Sequence, residues 1–223
     1  MIDTIITALP YILQGSLTTI SLVLGALALG FIVGLPMAVI QVYGPWWARK
    51  IVGLYVWFFR GVPILLLLFL FYFGLFTIIG LNLSAIAASC LVLGMASAAY
   101  QSQIFRGTLK SLPQGQAKAG KALGMSNSQV LRHISLPQAL RMSISAWSNE
   151  YSILLKDSAI CYALGAQEMM THTHHVASRT GVLLPLYLTA AVLYLIITLV
   201  GIYGLRKLEK RVHIPGYTSA GSM

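Results

Sequence analysis

Four ionisable residues stand in largely apolar stretches of this chain: Arg60, Glu150, Lys156 and Asp157. A charge placed inside a membrane helix costs at least about 2.5–3.5 kcal/mol, so residues of this kind are functional candidates by default. Glu150 and Asp157 are seven residues apart. That is about two helical turns, so a helix puts both carboxylates on one face. A free amino acid carries an ammonium and a carboxylate at fixed separation. Acids with a base nearby offer partners to both ends of it. An internal salt bridge, Lys156 with Asp157 or Arg60 with Glu150, is the structural alternative. Little else in the chain points to catalysis. There is no nucleophile–base pair, no carboxylate dyad in a polar segment and no cofactor fingerprint. No phosphate loop of the full GxxxxGK(S/T) type is present, so this chain is not expected to be the ATPase. His172, His174 and His175 lie close enough in sequence to consider a metal site. No acid or cysteine completes the set beyond Glu168, and a polar interfacial loop is the expected reading.

The elements that hold these charges are set by composition. The chain has 223 residues, of which 57% are hydrophobic and 9% charged. Soluble domains carry roughly 25% charged residues. Residues 4–48 and 61–105 contain no charge at all. A membrane helix needs about 20 predominantly apolar residues. The expected fold class is therefore an all-α membrane protein with about five transmembrane helices, forming one domain over residues 1–223. Residues 1–14 read as an interfacial lead-in. Spans are expected over 15–42, 51–79, 84–108, 138–164 and 182–205, with a polar loop over 165–181 and a basic tail at the end. Gly44-Pro45 breaks the chain after the first span, and Gly61 with Pro63 predicts a kink in the second. Gly30 and Gly34 have the small-xxx-small spacing that permits close helix approach, although glycine is common in membrane helices in any case. Cys90 and Cys161 both fall in apolar stretches and read as buried free thiols.

Residues 111–141 form the one long polar segment. It divides into a helix after Pro113, a stop at Gly124, and a second helix opened by Ser126 and Gln129 at capping-box spacing. That second helix is expected to end before Pro137. The charge pattern orients the whole. Twelve of the 15 Lys and Arg residues fall on the side of this segment: Arg49, Lys50, Arg106, Lys110, Lys118, Lys121, Arg132, Arg141, Arg206, Lys207, Lys210 and Arg211. Short cytoplasmic loops are the ones enriched in such residues. The N-terminus is therefore expected outside, the C-terminus in the cytoplasm, and the chain multi-pass in a plasma membrane. The net charge of +10 is accounted for by orientation. A basic helix–Gly–helix could also read DNA, but both of its ends run directly into membrane helices, so no nucleic-acid partner is expected.

The polar segment carries a family resemblance. Lys118-Ala119-Gly120, three residues, Gly124, nine residues, then Ile134-Ser135-Leu136-Pro137 is similar to the EAA loop of ATP-binding-cassette importers. The wider string GQAKAGKALGMSNSQVLRHISLPQALR resembles the branch that imports polar amino acids such as histidine, arginine and glutamine. So do RGVPILLL at 60–67, AYQSQIFRG at 99–107 and NEYSILLKDSAI at 149–160, in the same order. The chain departs from the pattern at four positions. Lys118 stands where the loop usually has glutamate, and Gly120 replaces the second alanine. Trp57 and Gln103 stand where the branch often has glutamates, which lessens the acidic character near the translocation path.

The resemblance implies a permease subunit of a bacterial inner-membrane importer. Its expected partners are two ATPase subunits, a second permease copy or a homologous permease, an extracytoplasmic solute-binding protein, the amino-acid solute and the lipid bilayer. ATP and magnesium are expected in the ATPase, with no cofactor in this chain. The ATPase-coupling residues it implies are Gln116, Ala117, Lys118, Ala119, Gly120, Leu123, Gly124, Ile134, Leu136 and Pro137. The solute-contacting residues are Glu150, Lys156, Asp157, Arg60 and Gln103. An acid at the position of Glu150 is implied for cationic amino acids.

Overall fold

The computed structural model describes residues 2–212. Met1 and residues 213–223, with the last part of the basic tail, lie outside the described residues. Among the described residues every regular element is helical. Helix α1 runs unbroken over Ile2–Tyr43, with Pro10 and Pro36 inside it. The expected lead-in is thus the first third of a 42-residue rod. It is helical because its apolar side has a partner: Ala8 and Ile12 are buried with Met169, Ala177 and Leu186.

Gly44-Pro45 ends α1 as expected, and α2 begins at once, over Trp46–Gly61. The expected kink at Gly61-Val62-Pro63 is a complete break. Helices α2 and α3 (Ile64–Ile78) meet at 109°. The cause is local. Pro63 disfavours helical backbone in the residue before it, and Val62 is extended at φ −95° and ψ 132°.

Helix α4 (Ala85–Ser111) opens on Ser84, whose hydroxyl accepts from the Ala87 amide at 3.2 Å. It packs along α1 through small residues. A Cβ at Gly34 would lie 2.8 Å from the Ala98 carbonyl oxygen, and one at Gly25 2.8 Å from the Cys90 sulfur. One at Gly30 would collide with Gln101 and Ser97. Of the two readings left open for Gly30 and Gly34, close approach is therefore the correct one.

The polar segment folds as α5 (Gln114–Ala122) and α6 (Asn127–Val130), turned by Gly124 at φ +85°. The capping box forms: the Ser126 amide donates to Gln129 Oε1 at 2.7 Å, and the Gln129 amide to Ser126 Oγ at 3.3 Å. The second helix does not stop before Pro137. It widens over Leu131–Ser135 and continues as α7 (Leu136–Met142). In the widened turn the Leu136 amide reaches back to the Leu131 carbonyl, so the missing Pro137 amide falls where the ladder has already shifted. After a one-residue pause at Ser143 comes α8 (Ile144–Asp157), which tightens into a 3₁₀ turn over Ser158–Leu164.

Residues 165–181 are not a loop. Met169–Thr180 is helix α9, capped by Glu168 and closed by Gly181. Helix α10 runs over Leu183–Val212, seven residues past the expected end at 205. Three helices are long and apolar enough to cross a membrane, or four if the bent α2–α3 pair counts as one span. The expected fourth span, 138–164, is divided at Ser143 and Asp157 and carries four charges, Arg141, Glu150, Lys156 and Asp157, so it does not meet that measure.

Gly34 and Gly53 give a matched test of the α1–α4 contact, because a Cβ at Gly53 meets nothing within 4 Å. Overpacking a tight contact costs typically 1–3 kcal/mol. Gly34→Val should lower the thermal midpoint in detergent and the yield of folded protein, while Gly53→Val should change both little. Equal behaviour of the two variants would mean that the close approach does not restrain the fold.

Candidate functional site

The break between α2 and α3 opens a cavity of about 390 Å³ against α4 and α8. This lies within the usual range of small-molecule sites, about 300–1,000 Å³. Arg60 comes from the end of α2, Ser97 and Tyr100 from α4, and Glu150 and Asp157 from α8. The two carboxylates share the cavity wall, as their seven-residue spacing requires. The Arg60 guanidinium lies over the Tyr100 ring, 5.0 Å from its centre. It does not close a salt bridge with Glu150, nor does Lys156 with Asp157. A wall with one guanidinium and two carboxylates can hold a small solute that carries charges of both signs.

Glu150 is only 4% exposed and is held in place by hydrogen bonds. Ser97 Oγ donates to Glu150 Oε1 at 2.7 Å. Gln101 Nε2 donates in turn to Ser97 Oγ and to the Leu27 carbonyl, both at 3.0 Å. Gln101 Oε1 accepts from Trp147 Nε1 at 2.7 Å. Hydrogen bonds to a charged group contribute about 1.5–3 kcal/mol each. Ser97, Tyr100, Gln101 and Trp147 were not singled out in the sequence. Polar residues at i and i+4 in an apolar helix, Ser97 and Gln101, were the available signal.

Two expected solute residues stand elsewhere. Lys156 is exposed and does not line the cavity. Gln103 lies in a separate recess of about 460 Å³ with Gln41, Arg49, Trp57, Arg106 and Lys110. Both positions that lack the branch's glutamates, Trp57 and Gln103, therefore fall in one recess.

The residues of the polar pair take up distinct roles. Gly120 is buried, and a Cβ there would lie 2.8 Å from Ile134 Cδ1. Glycine at this position lets α5 seat on the Ile134 side chain. Gln116 Oε1 accepts from Gln138 Nε2 at 2.6 Å, which ties α5 to α7. Ala117 is half-buried, while Lys118 and Ala119 are exposed and Leu123 is 85% exposed. Leu136 packs in a core with Phe105 and Leu109, and Pro137 faces outward. The pair therefore presents the exposed Leu123 at its turn and Lys118 in a cleft against Tyr43 and Lys110, on a base fixed to the helix that leads to Glu150.

The histidine segment serves α9 itself. His172 donates to the Tyr11 carbonyl at 2.7 Å and stacks on the Tyr11 ring. His174 bonds the Tyr187 hydroxyl at 2.8 Å. Glu168 is fully buried; it caps the helix through the Thr171 amide at 2.8 Å and accepts from the Tyr194 hydroxyl at 2.6 Å. Among the described residues no group of three or more His, Cys, Asp or Glu is placed to hold a metal.

Residues 26–214 match the family described as "Binding-protein-dependent transport system inner membrane component". The chain is 30% identical over 208 residues to the glutamine transport system permease protein GlnP of Escherichia coli K12, covering 93% of this chain and 95% of that one. It is 32% identical over 206 residues to the arginine ABC transporter permease protein ArtQ of Haemophilus influenzae, covering 88% and 90%. Among solved structures it is similar to an "amino acid ABC transporter with histidines", with a TM-score of 0.84, 28% identity, and 93% and 96% coverage.

Gly124 has open space around it, so any cost of replacing it is conformational. A side chain in the left-handed region costs about 1–2 kcal/mol. Gly124→Val should speed amide hydrogen exchange across residues 114–135, and Gly124→Asn, whose side chain tolerates this conformation, should recover most of the protection. Unchanged exchange in the valine variant would show that the turn is not held at positive φ.

Proposed function

The chain belongs to the family of binding-protein-dependent transport system inner membrane components, and on that premise we propose that it is the permease of an ATP-driven importer of polar amino acids, with cationic ones favoured. The observation that carries the substrate reading is the cavity at the α2–α3 break. Arg60 faces the carboxylate of the solute. Glu150 and Asp157 face its ammonium and the further positive group of an arginine, lysine or histidine side chain. Glutamine is the competing solute, because a relative named for glutamine is about as similar as one named for arginine.

Five passes with the N-terminus outside and the C-terminus in the cytoplasm suit the charge distribution. Tyr43, Lys110, Lys118 and Lys121 meet around one cleft, whereas Asp3, His175 and Arg179 meet around another, some 40 residues back along α1. The first group lies on the cytoplasmic side in this reading. Two ATPase subunits dock on the α5–α6 pairs of two permeases, either two copies of this chain or this chain with a homologue. Leu123 enters the ATPase surface and Lys118 faces an acidic or neutral patch. The ATPase holds ATP and magnesium, and an extracytoplasmic binding protein delivers the solute. Closure of the ATPase pair moves α5 and α6, and the helix from Asn127 to Asp157 carries that movement to Glu150.

Two substitutions test the two halves of this reading. Glu150→Gln keeps the shape and removes the charge. In proteoliposomes with the matched binding protein and ATPase, uptake of a cationic amino acid should fall roughly ten- to a hundredfold, the equivalent of one charged hydrogen bond. Glutamine uptake should fall less. Equal loss of both solutes would assign Glu150 to structure, and loss of neither would remove it from the pathway. Lys118→Glu should weaken assembly with the ATPase, most visibly at low salt, since complementary charge sets registry and encounter more than affinity. Stronger assembly of that variant would overturn the inferred charge of the ATPase surface.

A further inference from the structure

The chain has five acidic residues: Asp3, Glu150, Asp157, Glu168 and Glu209. None lines the recess where α1, α2 and α4 meet. Arg49, Arg106 and Lys110 do, around a volume of about 460 Å³. Like charges gathered without a counter-charge repel, so this arrangement is stabilised by an anion. One of the cations is already aimed. Arg106 donates to Gln103 Oε1 at 3.0 Å, and Gln103 Nε2 donates to Gln41 Oε1 and Ser102 Oγ, both at 3.0 Å. The Arg106 head group is therefore held at the recess before any ligand arrives, with its remaining donors free for an anion.

The flank of the recess is apolar. Ile51, Leu54 and Trp57 are spaced three apart on α2 and are 62%, 65% and 72% exposed. Trp57 belongs to the recess lining itself. Trp46 and Trp47 are exposed at the start of the same helix, with the Lys50 ammonium 5.1 Å from the centre of the Trp46 ring. Tryptophans and cations in this combination mark the membrane boundary. Basic pockets between membrane helices at that depth take anionic lipid head groups.

We propose that this recess binds the phosphate head group of an anionic phospholipid, with the acyl chains lying along Ile51, Leu54 and Trp57. A phosphate diester supplies the missing negative charge, and its tails cover an apolar face that has no partner within the chain. The inference rests on the membrane placement proposed above but not on the identity of the transported solute.

The test uses the complete transporter, permease with ATPase, purified in detergent. Native mass spectrometry compares retention of phosphatidylglycerol with phosphatidylcholine of the same acyl chains. The parent should retain phosphatidylglycerol at least tenfold better. Arg106→Gln and, separately, the exposed Lys110→Gln should each lower that preference about fivefold, the effect of removing one cation from an anionic surface, about 1 kcal/mol. Arg179→Gln, at the other end of the molecule, should leave it unchanged. Equal retention of the two lipids, or an unchanged preference in both recess variants, would overturn the proposal. So would displacement of the lipid by millimolar inorganic phosphate, which would make free phosphate the ligand. Efficient disulfide cross-linking between two permease copies through Trp57→Cys would also overturn it, by giving the face to a second protein chain. ATP-dependent uptake in phosphatidylcholine vesicles reports on the transport reading separately.

Discussion

The arrangement depends on one buried amide. Gln101 has no exposed surface, and in the middle of an apolar helix every one of its polar atoms needs a partner. It finds them on three helices: the Leu27 carbonyl on α1, Ser97 on its own helix and Trp147 on α8. Those bonds require α1 to come close, which is why Gly30 faces Gln101. They also fix Ser97, whose hydroxyl is then available to Glu150. The close helix approach and the orientation of the cavity carboxylate are thus two results of satisfying one side chain. A hydrophobic residue at 101 would pack in the span but would leave Ser97 unoriented and the Trp147 indole unpaired.

A second constraint joins the polar pair to the cavity. From Asn127 to Asp157 the chain is helical apart from the pause at Ser143. The widened turn before Pro137 preserves that continuity where a proline would otherwise end it. Gly120 seats α5 on Ile134 and Gln116 bonds Gln138, so α5 is fastened to the same rod. Glu150 sits farther along it. Surface and cavity are therefore parts of one mechanical element rather than neighbours linked by loops.

Much of this was legible from residue types. The absence of charge over 4–48 and 61–105, the Ser126–Gln129 box and the stop at Gly124 each follow from local chemistry, and each appears in the fold. The placing of Arg60, Glu150 and Asp157 in one cavity agrees with the cost of isolated charges in apolar helices. The misses have tertiary causes. Residues 2–14 and 169–180 look polar or irregular alone and become helical because Ala8 and Ile12 pack on Met169 and Ala177. The 109° break needed the extended Val62 as well as Pro63. Gln103 looked like a pathway residue because it stands in a matched segment, but its side chain points into a different recess. Lys156 follows from periodicity: it is next to Asp157 in sequence and therefore about 100° away around the helix.

The pause at Ser143 turns the rod into a lever with a short arm. Glu150 lies seven residues beyond it, about 10 Å along the axis. A tilt of about 10° at that point sweeps the carboxylate sideways by about 2 Å at this rise per residue. The Ser97–Glu150 hydrogen bond is 2.7 Å long, and a further 2 Å takes it well beyond the length at which such a bond exists. In this structure Ser97 holds the carboxylate; a rotation of that size about Ser143 would release it, so the angle there would decide which partner Glu150 has.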